Sequence, residues 1–179
     1  MLLLKALVRV RFLTTSRAKA SDQIRQVLKE YLLLGDTLTE EQGRRPFRVP
    51  AMRGVDEDMR DWSYYMILEH NVIVNRFMKL TVESLARNKI PQALSRVDTK
   101  KDVMPSGNPG PEQLQAFSES VESYLSMVDQ LGTLRGTPRF RHPIFGMLNA
   151  HGWHCMLGLH LEVHLPQASC VVEGVSSEN

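Results

Sequence analysis

Apolar residues in this chain recur at three- and four-residue steps, and no stretch alternates apolar and polar for long enough to form a sheet. That periodicity breaks only where glycine and proline gather, so the chain is restricted to helices joined by loops. There is no glycine before Gly35 and no proline before Pro46. Ser21 is expected to cap a helix running through Ile24, Val27, Leu28, Tyr31 and Leu34, with Gly35 as its stop. The same apolar phase continues upstream through Leu13, Val10, Ala6 and Leu3, with Arg17 as the one clash, which leaves room for a longer first helix. Residues 36–55 carry Gly43, Pro46, Pro50 and Gly54 among charges and read as a loop.

A second helix is expected from about Asp56 to Asn88. Trp62, Met66, Ile73, Phe77 and Leu80 would form its buried stripe, with His70 inside that stripe. Residues 89–110 begin at Ile90-Pro91, end in Pro105-Ser106-Gly107-Asn108-Pro109-Gly110, and read as a long connection. Pro111 suits the first turn of a third helix. Its apolar face is Leu114, Phe117, Val121, Leu125, Val128 and Leu131, and Gly132 ends it. Another loop holds Gly136, Pro138, His142, Pro143 and Gly146. Asn149 then caps a fourth helix that Pro166 is expected to close. The fold class expected is all-α, a four-helix bundle with a possible N-terminal helical extension. The expected divisions are a basic segment 1–20, the bundle over 21–167 and a C-terminal tail over 168–179.

With 179 residues, 42% of them hydrophobic and 23% charged, the chain suits one globular domain. A formal charge of +2 is too small to argue for nucleic acid. Residues 1–20 nevertheless hold Lys5, Arg9, Arg11, Arg17 and Lys19 and no acid. That composition resembles a transit peptide; the favoured reading is a helix that belongs to the bundle or extends it. Basic residues interrupt it too often for a secretory signal or a membrane span, so no membrane partner is expected. Cys155 and Cys170 have no zinc-knuckle or disulfide spacing, which makes a reducing cytoplasm the default.

The chemistry lies in the histidines. Six are present: His70, His142, His151, His154, His160 and His164. His160 and His164 stand one helical turn apart on the face that also carries Trp153 and Leu157, and two imidazoles so spaced can grip one ion. His151 and His154 fall off that face at about 100° per residue. A third inward imidazole, His70, would share the desolvation cost with the pair if one metal satisfied all three. Each has a plain alternative: a hydrogen-bonded core histidine for His70 and a chance spacing for the pair. Glu69, beside His70, is a candidate general base or a partner of the ligands, against the plainer reading of a charge at a helix boundary. Trp62 and Trp153 could line a pocket but fit plain core equally, His142 reads as a turn, and Cys155 as a small buried residue.

The stretch Trp62-Ser63-Tyr64-Tyr65-Met66-Ile67-Leu68-Glu69-His70 resembles the DinB-like superfamily, which includes YfiT-type proteins. His142-Pro143-Ile144-Phe145-Gly146, followed by Ala150, Trp153, His160, His164 and Gln167, resembles that family's last motif. The likeness runs in order over roughly residues 21–167. It implies a nickel, zinc or similar divalent ion on His70, His160 and His164, and either a metal-dependent hydrolase or a transferase of low-molecular-weight thiols such as mycothiol or bacillithiol. Residues 1–20 have no counterpart, and Pro166 departs from the pattern. Three neutral imidazoles leave the ion its charge and open positions, which favours a water or thiol of lowered pKa. Nothing resembles the carboxylate-rich di-iron set or a cysteine cluster of a redox site. Hydrolysis of a small-molecule substrate is the leading expectation, thiol transfer the next, and a non-catalytic, metal-stabilised bundle, as a possible homodimer, the third.

Overall fold

Ser16 accepts a hydrogen bond from the backbone N–H of Lys19 at 3.1 Å and caps a helix over Arg17–Gly35. The cap therefore lies five residues before Ser21, which is buried inside that helix. A computed structural model of the chain describes residues 2–98 and 101–177, and within those ranges the side chains from Lys5 onward. The expected inward phase at Leu3, residues 99–100 of the long connection and residues 178–179 of the expected tail lie outside what is described. Arg17 is no clash. As the first residue of its helix it reaches the end of another, donating to the carbonyls of Leu131 (3.0 Å), Gly132 (2.9 Å) and Val128, where the helix dipole favours a cation. The upstream segment forms a separate helix, α1 (Leu2–Thr14), before α2 (Arg17–Gly35).

The loop expected over 36–55 includes a short helix, α3 (Glu40–Arg44), nucleated by a capping box between Thr39 and Gln42. The next long helix, α4, spans Tyr64–Ala86 rather than Asp56–Asn88, because Ser63 caps it by accepting from the N–H of Met66 at 3.2 Å. Trp62 thus precedes the helix. The buried face of α4 is Ile67, His70, Asn71, Val74, Met78, Val82 and Leu85. Met66, Ile73 and Phe77 are half-buried and Leu80 is exposed. The true core face, which also takes in Leu68 and Val72, is turned well away from the expected stripe. Buried Asn71, Asn75 and Thr81 are polar, so the large apolar residues on its flank mimicked it.

Pro111 immediately precedes α5 (Glu112–Gln130), whose buried residues Phe117, Val121, Tyr124, Leu125 and Val128 lie on the expected apolar face. The segment read as a loop around His142 holds a hairpin. Its strands β1 (Phe140–His142) and β2 (Gly146–Leu148) pair antiparallel, with Phe140 opposite Leu148 and Arg141 opposite Met147. Gly146 has φ +76°, a conformation that glycine adopts without strain. Asn149 caps the last helix, α6 (Ala150–Ser177), by accepting from the N–H of Gly152 at 2.9 Å.

Pro166 does not close α6; it sits exposed inside a helix that runs on to Ser177. Beyond it Ala168, Val171, Val172 and Val175 are buried, and their burial outweighs one lost backbone hydrogen bond. A Cβ on Gly174 would lie 2.3 Å from the ring of Phe47, so this stretch packs closely on the rest of the chain. The four long helices pack pairwise, α4 on α5 and α6, and α2 on α6 and α5, while α1 lies on α6 and α3 on α4 and α6. Tyr31 in the core donates to the carbonyl of Leu161 at 3.1 Å, and Tyr64 donates to the carbonyl of Tyr31.

Candidate metal centre

His70 comes from the middle of α4, and His160 and His164 from successive turns of α6, the two helices being packed together. Their ring centroids stand 5.2 Å (His70–His160), 4.9 Å (His70–His164) and 4.8 Å (His160–His164) apart. One nitrogen from each lies within 4.8 Å of the others, and among the described residues this is the group of histidine, cysteine and acidic side chains arranged to hold an ion. The expected convergence of the three rings is therefore present.

Two of the rings are held from behind. Nδ1 of His70 lies 2.7 Å from the carbonyl oxygen of Val103. A carbonyl only accepts, so Nδ1 carries the proton and Nε2 keeps its lone pair. Nδ1 of His164 donates in the same way to Oε1 of Gln167 at 2.8 Å, and Nε2 of Gln167 donates to the carbonyl of Met59 at 2.7 Å. Bonds of this kind set the tautomer and orientation of a ligating imidazole. Nε2 of His70 and Nε2 of His160 are buried and have no hydrogen-bond partner. Buried nitrogens without partners are costly, and a shared cation relieves both. Three imidazole nitrogens so placed could hold a metal ion.

The electrostatics agree. Burial pushes His70 down to about 4, helped by the neighbouring His164 and opposed by the Val103 carbonyl. Burial holds His160 well below the usual histidine range, with His164, His70 and His142 adding to the effect. His164 is lowered by burial, against the opposing hydrogen bond of Gln167 and the charge of Asp56. All three are neutral at pH 7, as ligands must be.

Glu69 does not join the three nitrogens. Its carboxylate accepts from both the backbone N–H and the hydroxyl of Ser106, each at 2.8 Å. It thereby anchors the segment from which Val103 reaches His70. Trp62, ahead of α4, lies 5.1 Å ring to ring from His70. Trp153 packs 5.0 Å from His142 and donates to the carbonyl of Phe140 at 3.3 Å, tying the hairpin to α6.

His142 is more than a turn residue. Its Nδ1 accepts the backbone N–H groups of Ile144 (3.1 Å) and Phe145 (3.3 Å), so the ring proton is on Nε2. The ring is buried, which pushes its pKa down to about 4, and its charge would act on His160. Sequence periodicity could not place it, because a hairpin rather than a helix carries it. Gln167 stands three residues from His164 on α6, a spacing the sequence shows, whereas Asp56 comes beside His164 only through folding.

His151 and His154 are off the face of the pair, as their spacing requires, but neither faces solvent. His154 is enclosed by Tyr124 Oη (3.0 Å), Ser21 Oγ (3.2 Å) and the Arg17 carbonyl (3.3 Å). Nε2 of His151 meets the carbonyls of Phe12 (3.1 Å) and Thr15 (3.0 Å) and the Arg135 guanidinium (2.9 Å). Cys155 is buried and its thiol is pushed up to about 11 by burial, so it is no nucleophile at neutral pH. Comparison of the chain with protein-family models, with curated proteins and with solved structures finds no match, and the chemistry rests on the residues themselves.

Proposed function

We propose that this chain is a metal-dependent hydrolase of the DinB-like type, a four-helix bundle of α2, α4, α5 and α6 that binds zinc or nickel through His70, His160 and His164. The observation that carries the reading is the pair of buried, partnerless Nε2 atoms on His70 and His160, facing a third imidazole within ligand distance. A divalent ion held by three neutral imidazoles acts as a Lewis acid and lowers the pKa of water or a thiol. The chain's own residues do the rest. Val103 and Gln167 orient two ligands through their Nδ1 protons. Glu69 holds the Val103 segment through Ser106. His142 keeps a proton on Nε2 and can donate it as a hydrogen bond to a substrate oxygen, because two backbone N–H groups occupy Nδ1.

The deciding experiment begins with metal analysis of the purified protein. The metal-loaded protein is then offered simple esters and amides, and in parallel an electrophile with mycothiol or bacillithiol. Hydrolysis lost in both His70→Ala and His160→Ala supports the proposal. Thiol transfer with the same dependence would replace hydrolysis by the transferase reading. Metal bound with no turnover in either arm would leave a metal-stabilised, non-catalytic bundle.

A further inference from the structure

Five of the eight large apolar side chains that stand most exposed among the described residues lie on two neighbouring segments. Leu7 (59% exposed), Val10 (56%) and Leu13 (69%) are on α1, and Ile144 (54%) and Met147 (51%) are on the hairpin. On α1 they share one arc of the helix with exposed Ala6, opposite the buried Val8 and Phe12. On the hairpin, Met147 lies across from Arg141 on the outward side, while Leu148 is buried. Arg9 joins the two segments by donating to the carbonyl of Phe145 at 3.2 Å.

This surface is held rigidly. Arg11 pairs with Glu162 at 2.9 Å. Arg135 donates to the carbonyls of Leu13 (3.1 Å) and Thr15 (2.9 Å), and His151 lies against the carbonyls of Phe12 and Thr15. The last turn of α1 is thus fastened to α6 and its preceding loop, so the apolar arc is not left over from a loose end. The charge around it is mostly basic, the acidic Glu162 being taken up by Arg11. Residues 1–20 contain no acid. The side chains of Lys5, Arg139 and Arg141 have no hydrogen bond or ion pair among the described residues, and both arginines are exposed.

We propose that α1 and the β1–β2 hairpin form a docking surface for an anionic lipid bilayer, lying in the headgroup region with Leu7, Val10, Leu13, Ile144 and Met147 inserted. Exposed apolar residues rimmed by basic ones fit a planar anionic interface. Anionic headgroups supply the counter-charge that Lys5, Arg139 and Arg141 lack within the chain. A second copy meeting the same face across a two-fold axis would set these cations near one another. No described helix is long and apolar enough to cross a membrane, which bears on spanning and not on surface binding.

The test is flotation of the full chain with vesicles of phosphatidylcholine alone and of phosphatidylcholine with phosphatidylserine, at low and raised salt. The expected result is about tenfold more protein with the anionic vesicles, reduced by salt. Leu7→Glu with Val10→Glu, and separately Arg139→Glu with Arg141→Glu, should abolish flotation while far-ultraviolet circular dichroism stays helical. No flotation with anionic vesicles, or equal flotation with both kinds, overturns the proposal. So does a wild-type dimer that the Leu7/Val10 variant turns into a monomer, which would name a second copy as the occupant. If a variant fails to fold, the wild-type comparison of the two vesicles and two salts still decides.

Discussion

His70 donates its Nδ1 proton to the carbonyl of Val103 at 2.7 Å, and this one bond settles which nitrogen of His70 is left for an ion. Val103 is far from His70 in sequence, and its segment is moored by Ser106 on Glu69, the residue next to His70. Removing the mooring should therefore loosen the ligand. We expect Glu69→Ala to weaken zinc binding by about 10–100-fold and speed its release to a chelator. Glu69→Gln, which still accepts from Ser106, should keep most of the affinity. Gln167→Ala should match the alanine loss by freeing His164. Competition with a chromophoric chelator measures all three, and unchanged affinity in Glu69→Ala would remove this role. If Glu69→Gln binds metal normally but loses turnover, Glu69 is the general base.

Metal loading should appear as stability. An ion that binds only the folded state, at about a hundred times its Kd, adds about 2.7 kcal/mol. In a chain of this size that raises Tm by roughly 5–10 °C. Chelator should reverse the rise in the wild type and do little to His164→Ala. Melting curves that coincide with and without chelator, in a sample shown to contain metal, would count against the three-histidine centre.

Acid sensitivity has a second source away from the three clustered histidines. Burial, as the largest cause, pushes His154 from 6.5 down to about 4 in the folded chain. Above pH 6.5 it is neutral in both states and contributes no slope. As the pH falls from 6.5 towards 4, only the unfolded chain takes up the proton, so stability declines, by up to about 3 kcal/mol from this group. Below pH 4 its contribution is constant. Denaturant titrations across this window should show a shallower decline in His154→Gln than in the wild type. The difference between the two isolates His154 from the ligand histidines, and parallel declines would sink the assignment.

The C-terminal half of α6 offers a pair of opposite effects. Pro166 is exposed within the helix, so Pro166→Ala restores a backbone donor without removing packing and should stabilise by about 1–3 kcal/mol. Gly174→Ala places a methyl against the Phe47 ring and should destabilise by about 1–3 kcal/mol. Thermal melts of both variants check this. A neutral Gly174→Ala would mean that residues 168–177 do not pack as described.

What the sequence determined by itself is whatever depends on local periodicity and capping. The apolar face of α5, the Asn149 cap and the placement of His160 and His164 one turn apart all follow from residue spacing along one helix. His70 could be nominated because it lies near apolar neighbours on a helix. Only the tertiary structure decided which way that helix turns: polar Asn71, Asn75 and Thr81 sit in the core, so hydrophobicity alone misjudges the buried face. Pro166 was a locally sound stop signal, overridden by the burial of Ala168, Val171, Val172 and Val175 against distant partners. The polar bonds behind the ligands, Val103 to His70 and Gln167 to Met59, arise where separate segments meet. So does His142 on its hairpin. A hydrogen bond between residues remote in sequence leaves no period to read, because its geometry exists only once the intervening helices have packed.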